Sequence, residues 1–322
     1  MTALPEGWTM RRPALDDVPE ILAMVHASDI AAVGQPDFFA DEVRDALTAP
    51  NTDMARDSWL ALDQAGTIVG WAYPHNATGG DRDFAEVYVW PERGVSAQRP
   101  LLALIMERMA ERAAELGHPR YEVRAGAIPT EARYIEALTD AGFTFLKQHA
   151  RMRMSLAGVP ATAPRPPAGV TIRPVRPGDE AEMRRFHEVI ETSFRDSDHR
   201  SVGYDGWRQQ LDAQPTKSWD EWFVAEADGE IVGALQSADG DEDEGWVGRL
   251  GVLRAYRRRS VGESLLRHAF AAYVRNGRGK AGLGVDMENP TRAARLYLAV
   301  GMKPLYRANV YRTTVAAAAV PA

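Results

Sequence analysis

The chain carries one pattern twice. Met10-Arg11 returns as Ile172-Arg173, each opening a short apolar strand ahead of an acidic helix start. Gly66-Thr67-Ile68-Val69-Gly70 returns as Gly229-Glu230-Ile231-Val232-Gly233, a strand entered from a tight turn. Val89 and Val252 end corresponding apolar strands. Ala141-Gly142-Phe143 and Val300-Gly301-Met302 each close a helix with a glycine at its stop. The pairs keep their order at offsets of roughly 160, so the 322 residues read as a duplication into two domains of the size one core serves. Between the copies lies Leu156–Gly169, LAGVPATAPRPPAG, whose four prolines remove backbone donors and favour extended chain. The expected division is therefore residues 1–155, a linker over 156–169, and residues 170–322.

The second half spells β, α, α, β, β, β, α, β, α, β, β. Val170–Arg173 reads as a strand, Asp179–Ser193 as a helix with an acidic first turn, and Tyr204–Ala213 as a second short helix. Trp222–Glu226, Ile231–Gln236 and Trp246–Leu253 form a meander with turns at Asp228-Gly229 and Asp239-Gly240. Leu265, Leu266, Ala269, Phe270, Tyr273 and Val274 make one apolar stripe along a helix over Gly262–Arg275. Leu283–Asp286 is a strand, Pro290–Val300 a helix with proline in its first turn, and two short strands finish the domain.

Composition narrows the function classes. No cysteine is present, which excludes disulfides, thiolate zinc sites and a thiol nucleophile. The seven histidines show no metal-ligand spacing, so no metal is expected. A net charge of -7 argues against a nucleic-acid partner and suits a cationic or amine-bearing small molecule. No run approaches the ~20 apolar residues of a membrane span, and MTALPEGWTMRRP lacks the features of an export signal. The expectation is a cytoplasmic protein with no membrane partner.

The chemistry concentrates in Val252-Leu-Arg-Ala-Tyr-Arg257-Arg258-Arg259-Ser260-Val261-Gly262-Glu263, which joins an apolar strand to a helix through a basic turn. Such a turn aims consecutive N–H groups outward at the positive end of a helix dipole, a ready anion site. The same residues also suit a merely solvated basic turn.

In context this segment resembles the pyrophosphate loop of the GNAT superfamily of N-acetyltransferases, Arg/Gln-x-x-Gly-x-Gly/Ala. Ser260 stands at the first glycine position. A second block, from Asn289 through Ala293, Leu296 and Tyr297 to Gly301-Met302, resembles the family's Asn-x-x-Ala-x-x-Leu-Tyr-x-x-x-Gly-Phe. The resemblance covers Val170–Val315 and, more weakly, residues 8–155. It implies an α/β (α+β) fold of two tandem GNAT-like domains, each a mixed, mostly antiparallel central sheet flanked by helices. It also implies acetyl-CoA as acyl donor and direct attack of a substrate amine on the thioester.

The resemblance assigns roles residue by residue. Leu250 and Val252 lie where the central strand splays and offers a backbone N–H to the oxyanion. Arg257, Arg258, Arg259, Ser260, Val261, Gly262 and Glu263 form the phosphate loop, Asn289 belongs to the cofactor side, and Tyr297 is the proton donor to the departing thiolate. The family's strand glutamate aligns with Trp246, which either lines the substrate pocket or packs in the core. Glu244, two residues earlier, is either the base or part of a solvated acidic turn; a water chain is the alternative route for the proton. His187 and His199 sit where the family's early helices form the acceptor-side wall, and each reads as a structural or exposed residue rather than a functional one; the acceptor wall itself is expected over roughly Thr192–Pro215.

In the first half, Gly94, Ala97 and Arg99 stand where the second copy has Arg257, Ser260 and Gly262, and Pro100 follows without an N–H. Leu138 matches Tyr297 in position. That copy reads as degenerate and catalytically silent. The acceptor is expected to be a primary amine on a small molecule, with a sugar-linked amino acid as the alternative. A non-catalytic acyl-CoA-binding scaffold is the contrasting expectation. The assembly is expected to be a monomer containing an internal pseudo-dimer, or a homodimer.

Overall fold

A computed structural model describes residues 3–49, 51–76, 81–195, 197–198, 201–213, 218–239, 243–288 and 293–318. The chain forms two compact units: residues 1–148 with 308–322, and residues 149–307.

Unit 1 runs β1 (Thr9–Arg11), α1 (Val18–Val33), α2 (Ala40–Thr48), α3 (Met54–Asp57), β2 (Trp59–Leu62), β3 (Ile68–His75), β4 (Arg82–Val89), α4 (Val95–Glu115), β5 (Arg120–Ala127), α5 (Ala132–Asp140) and the start of β6 (Thr144–Ser155). Unit 2 holds the rest of β6, then β7 (Thr171–Pro174), α6 (Glu180–Phe194), α7 (Tyr204–Ala213), β8 (Phe223–Ala227), β9 (Glu230–Asp239), β10 (Glu244–Val252), α8 (Val261–Arg275), β11 (Lys280–Asp286), α9 (Ala293–Ala299) and the start of β12 (Lys303–Ala316).

The division differs from the one expected at 155 and 170. In unit 2, His149–Ser155 pairs antiparallel with β11, although these residues come from the first half of the chain. In unit 1, Asn309–Ala316 pairs antiparallel with β5, although they come from the second half. The two short closing strands expected from the sequence are one strand of 14 residues. Residues 156–169 form neither helix nor strand. Choice of strand partner rests on long-range pairing, which local composition does not encode.

Each unit has a mixed, mostly antiparallel sheet. In unit 2 the order is β6-β11-β10-β9-β8-β7, with one parallel contact, Glu244–Trp246 against Lys280–Gly282. In unit 1 the matching parallel contact joins Arg82–Phe84 to Glu122–Arg124. The duplication thus extends to the place where each sheet changes direction.

Helices cover both faces of the unit 2 sheet. Leu265, Leu266, Ala269, Phe270 and Tyr273 of α8 are buried with Val247 and Leu283 on one face, as the apolar stripe requires. Met183, Phe186, Val189 and Ile190 of α6 pack with Val224 and Ala234 on the other. Asp179 caps α6 by accepting from the Glu182 N–H at 3.1 Å. The β8–β9 turn places Asp228 and Gly229 at φ 53° and 81°, the left-handed pair of a two-residue hairpin. The expected turn at Asp239-Gly240 extends outside the described residues.

Candidate acyl-donor site

The site begins with a divergence. β10 stays paired with β9 from Gly245 to Val252, but its pairing with β11 stops at Trp246. Beyond that point the β11-facing edge of β10 has no ladder partner, so its backbone groups are available to a ligand. A bulge between Val247 and Arg249 adds one residue, Gly248, to the strand. Such a bulge re-aims the side chains that follow it. Leu250 and Val252 consequently pack with the core under α8 and α9, whereas Gly251 faces α6. A Cβ on Gly251 would sit 3.0 Å from the Ser193 Cβ, so the glycine lets α6 approach the strand.

At the end of β10 the chain turns into α8. Arg258 and Ser260 have φ of 62° and 57°, flanking Arg259 in a concave backbone arrangement of the kind that gathers anions. Ser260 is the N-cap, left-handed, with no side-chain cap. The first intrahelical bond runs from Ser264 N–H to Ser260 C=O at 3.0 Å, leaving the N–H groups of Val261, Gly262 and Glu263 without an intrahelical acceptor. Ser260 therefore adopts the conformation a glycine would, at a cost of roughly 1 kcal/mol.

The expected loop residues divide into those that face outward and those that hold the loop. Arg258 and Arg259 are exposed, with the Arg259 guanidinium 5.2 Å from the Tyr256 ring centre. The Arg257 side chain turns inward and donates to the Val252 carbonyl at 3.1 Å and the Ser193 carbonyl at 3.0 Å. It ties the end of β10 to the end of α6, so its side chain braces the loop rather than reaching for phosphate. Glu263 pairs with Arg267 along the helix at 2.8 Å. Gly262 has a packing reason to be glycine: its Cβ would lie 3.2 Å from Leu296 Cδ2 and 3.6 Å from Val252 Cγ2. This close approach seats the start of α8 against both α9 and the end of β10.

Tyr297 follows Leu296 on α9 and is 9% exposed. Burial pushes its phenol up to about 12, so it carries its proton throughout the neutral range. Gly301 ends the helix at φ 98°, and Met302 N–H returns to the Tyr297 carbonyl at 3.0 Å. Asn289 lies outside the described residues, as does His199.

Glu244 is corrected. It is 1% exposed and accepts from Arg153 Nε at 2.9 Å and Arg151 at 3.0 Å. Against the cost of burial, these arginines hold its carboxyl below the usual carboxylate range. It starts β10, six residues and about 20 Å before Leu250. A carboxylate paired with two arginines at that end of the strand ties β10 to β6. Trp246 stacks under Arg151, whose guanidinium is 4.7 Å from the ring.

The α6 face of β10 holds a pair that the sequence reading passed over. Arg249 lies 3.5 Å from Glu191, and Glu191 lies 3.8 Å from His187 Nε2. The His187 ring is 5.0 Å from Trp207 and 5.6 Å from Tyr204. The signal was present in Gly248, a glycine inside an apolar strand, because a bulge there changes which residues face α6. Among the described residues, no group of three or more potential metal ligands forms.

Unit 1 repeats the divergence without the loop. β4 leaves β5 after Phe84, but Gly94 N–H bonds the Trp90 carbonyl at 2.8 Å. A Cβ on Gly94 would stand 2.2 Å from the Val69 carbonyl oxygen, so this turn is packed shut on β3. Arg99 is committed to Asp140 at 2.7 Å, and Leu138 is fully buried.

The divergent central strand thus ends at an uncapped, arginine-flanked helix start, followed by a buried helix tyrosine. Residues 183–302, all within unit 2, match the acetyltransferase (GNAT) family model. The chain is similar to a mycothiol acetyltransferase of Streptomyces avermitilis, 26% identical over 79% of each chain. Among solved structures it is similar to a GCN5-related N-acetyltransferase from Sphaerobacter thermophilus, at 25% identity, TM-score 0.83 and 98% coverage of each chain. It also shares the fold of a tandem GNAT protein from the clavulanic acid biosynthesis pathway, at 18% identity, TM-score 0.69, covering 98% of this chain and 100% of that one.

Proposed function

We propose that unit 2 transfers the acetyl group of acetyl-CoA directly to a primary amine of a small molecule. The observation that carries this is the single path from the open edge of β10, through Ser260, to the uncapped start of α8, with Gly262 seating α9 and its tyrosine against both. The pyrophosphate lies on the N–H groups of Val261–Glu263, with Arg258 and Arg259 supplying charge. A backbone N–H of Leu250–Val252 stabilises the oxyanion as the amine attacks the thioester carbon. The C–N bond forms, the C–S bond breaks, and the sulfur takes its proton from Tyr297. The proton shed by the attacking nitrogen leaves through water on the α6 side, and Tyr297 regains a proton from solvent, so one proton lost by nitrogen balances the one kept by sulfur.

A phenol at about 12 faces a thiol leaving group near 8.5. Tyr297 thus acts first as a hydrogen-bond donor to the developing thiolate, and full transfer is coupled to proton loss from the nitrogen. Glu191, already paired with Arg249 at 3.5 Å, forms part of the polar wall on the α6 side of the strand. We place the reaction in the cytoplasm and expect no nucleic-acid partner, which a net charge of -7 favours; no described helix is long and apolar enough to cross a membrane.

A sugar-linked amino acid of the mycothiol type is the second reading, favoured by the name of the relatives at 25–29% identity. Steady-state kinetics of Tyr297→Phe against a panel of amines tests the assignment. The account expects kcat to fall roughly 10²-fold with acetyl-CoA affinity unchanged; equal turnover by wild type and variant rejects Tyr297 as the acid.

A further inference from the structure

Unit 1 lacks a phosphate loop, yet its sheet carries acidic and aromatic side chains that acetyl transfer in unit 2 does not use. On the sheet face covered by α1, Glu86 of β4 stands directly opposite Tyr73 of β3. The hydroxyl of Tyr88 donates to the Glu86 carboxylate at 3.5 Å. Solvent reaches Glu86 only in part, and protein surrounds it closely enough that burial lifts its carboxyl to about 7. That combination describes a carboxyl largely enclosed by protein that keeps a route to solvent. Among the described residues, no arginine, lysine or histidine pairs with it.

The groups facing Glu86 from neighbouring elements are acidic or aromatic. Asp29 of α1 and Glu42 of α2 act on the same tyrosines, and Glu131 precedes α5. Each of these three is already engaged, accepting the N–H of Asp37 at 2.9 Å, Phe39 at 2.8 Å and Ile128 at 2.6 Å respectively. Tyr134 of α5 is 4% exposed, its hydroxyl has no hydrogen-bond partner, and it feels the charges of Glu86 and Glu131. An orphaned buried hydroxyl beside an unpaired carboxylate is costly unless something fills the space between them. Trp71 stacks on Tyr73 at 4.2 Å and on Tyr88 at 6.1 Å, so the wall is aromatic.

The duplication shows what is missing. Val89 pairs with Gly70 in unit 1 and Val252 with Gly233 in unit 2, so Glu86 and Arg249 hold the same strand position. Asp29 and Glu191 each stand twelve residues beyond the N-caps Asp17 and Asp179. Unit 2 therefore sets a carboxylate against the chain's own guanidinium at 3.5 Å. Unit 1 has Glu86 at the Arg249 position and Asp29 at the Glu191 position, so the guanidinium that faces the α6 carboxylate in unit 2 has no counterpart on β4.

We propose that unit 1 binds a small organic ammonium ion beside Glu86, Tyr73, Tyr88 and Tyr134. The ammonium pairs with Glu86 and lies against the tyrosine rings, which attract cations through their faces. The Tyr134 hydroxyl accepts an N–H from a primary amine or contacts a methyl group of a quaternary one. The closed turn at Gly94 leaves no cradle for pyrophosphate, so this ligand is an amine and not an acyl-CoA.

Calorimetry of the full chain with choline and ethylammonium tests this, using the uncharged isostere 3,3-dimethyl-1-butanol as control. The expected result is saturable binding of at least one cation, no binding of the alcohol, and weakening by roughly tenfold or more in Glu86→Gln. Binding at pH 6.5 is also expected to release protons, read from its dependence on buffer ionisation enthalpy, because the cation favours the ionised carboxylate. Tyr297→Phe should bind the cation as wild type does, which separates this binding from the transfer site. Asp29→Asn, with a smaller loss, serves if Glu86→Gln fails to fold. The proposal is overturned if neither cation binds, if the alcohol binds equally well, or if removing the carboxylates leaves cation binding unchanged.

Discussion

Arg153 holds the Glu244 carboxylate with two hydrogen bonds of 2.9 Å, and Arg151 adds a third at 3.0 Å. Both arginines belong to β6, which the chain contributes from its first half. Replacing the carboxylate by an amide keeps one acceptor oxygen but removes the negative charge facing two guanidinium groups. Glu244→Gln is predicted to lower unfolding free energy by about 2 kcal/mol while kcat of the folded variant stays within a factor of about two. The carboxyl is depressed in the folded state, so its stabilising effect is present above the unfolded value and lost as pH falls. The stability gap between wild type and variant should therefore narrow in acid, as denaturant titrations across that range would record. A collapse of kcat with stability intact would restore Glu244 as the base.

Ser260 occupies a left-handed position, φ 57°, that glycine occupies without strain. Ser260→Gly is predicted to keep or tighten acetyl-CoA binding and to change stability by less than about 1 kcal/mol. Ser260→Val, with a branched Cβ, is predicted to weaken acetyl-CoA binding at least roughly tenfold. Dissociation constants of the two variants make the comparison, and a valine variant that binds like wild type would show that the loop geometry does not matter.

Asn309–Ala316 completes the sheet of unit 1 beside β5. Truncation after Arg307 is therefore predicted to expose residues 1–148 to proteolysis first, although the deletion falls in the other half of the chain. Mass spectrometry of limited digests reads which unit is cut. Early cleavage confined to residues 149–307 would contradict the pairing.

Glu86 has a raised carboxyl, about 7 in the folded protein against about 4.5 unfolded. For a carboxylate this sign means the folded state holds the proton more tightly. Stability is greatest below the unfolded value and declines as pH rises through the folded one, by at most about 3 kcal/mol. Glu86→Gln should flatten the dependence between pH 4.5 and 7, measured by urea unfolding at several pH values. An unchanged slope would show that Glu86 is solvated.

Much of this was legible in the residues, and the gaps have physical causes. The apolar stripe of α8 and the glycine stops at Gly142 and Gly301 are local signals, and they carried the duplication. The loop around Ser260 was legible because close approach to a helix start restricts which residues fit. The exchange of β6 and β12 was not, since an alternating strand does not name its partner. Nor was the fate of Glu244, because Arg151 and Arg153 lie some 90 residues away and only the β6–β11 pairing brings them near. Arg257 shows the same limit: a basic residue in a phosphate loop was read by its charge, while its direction depends on the carbonyls of Val252 and Ser193. The bulge at Gly248, which turns Arg249 toward Glu191, shifts facing by one residue and was invisible to a period of two.

Calorimetric titration of acetyl-CoA into the purified chain, in wild type and Gly262→Asp, tests the central claim most directly. A carboxylate at Gly262 would meet Leu296 and Val252 and repel phosphate at the start of α8. The account predicts one site per chain in wild type and loss of binding in the folded variant. Two equivalent sites, or binding that survives Gly262→Asp, would contradict it.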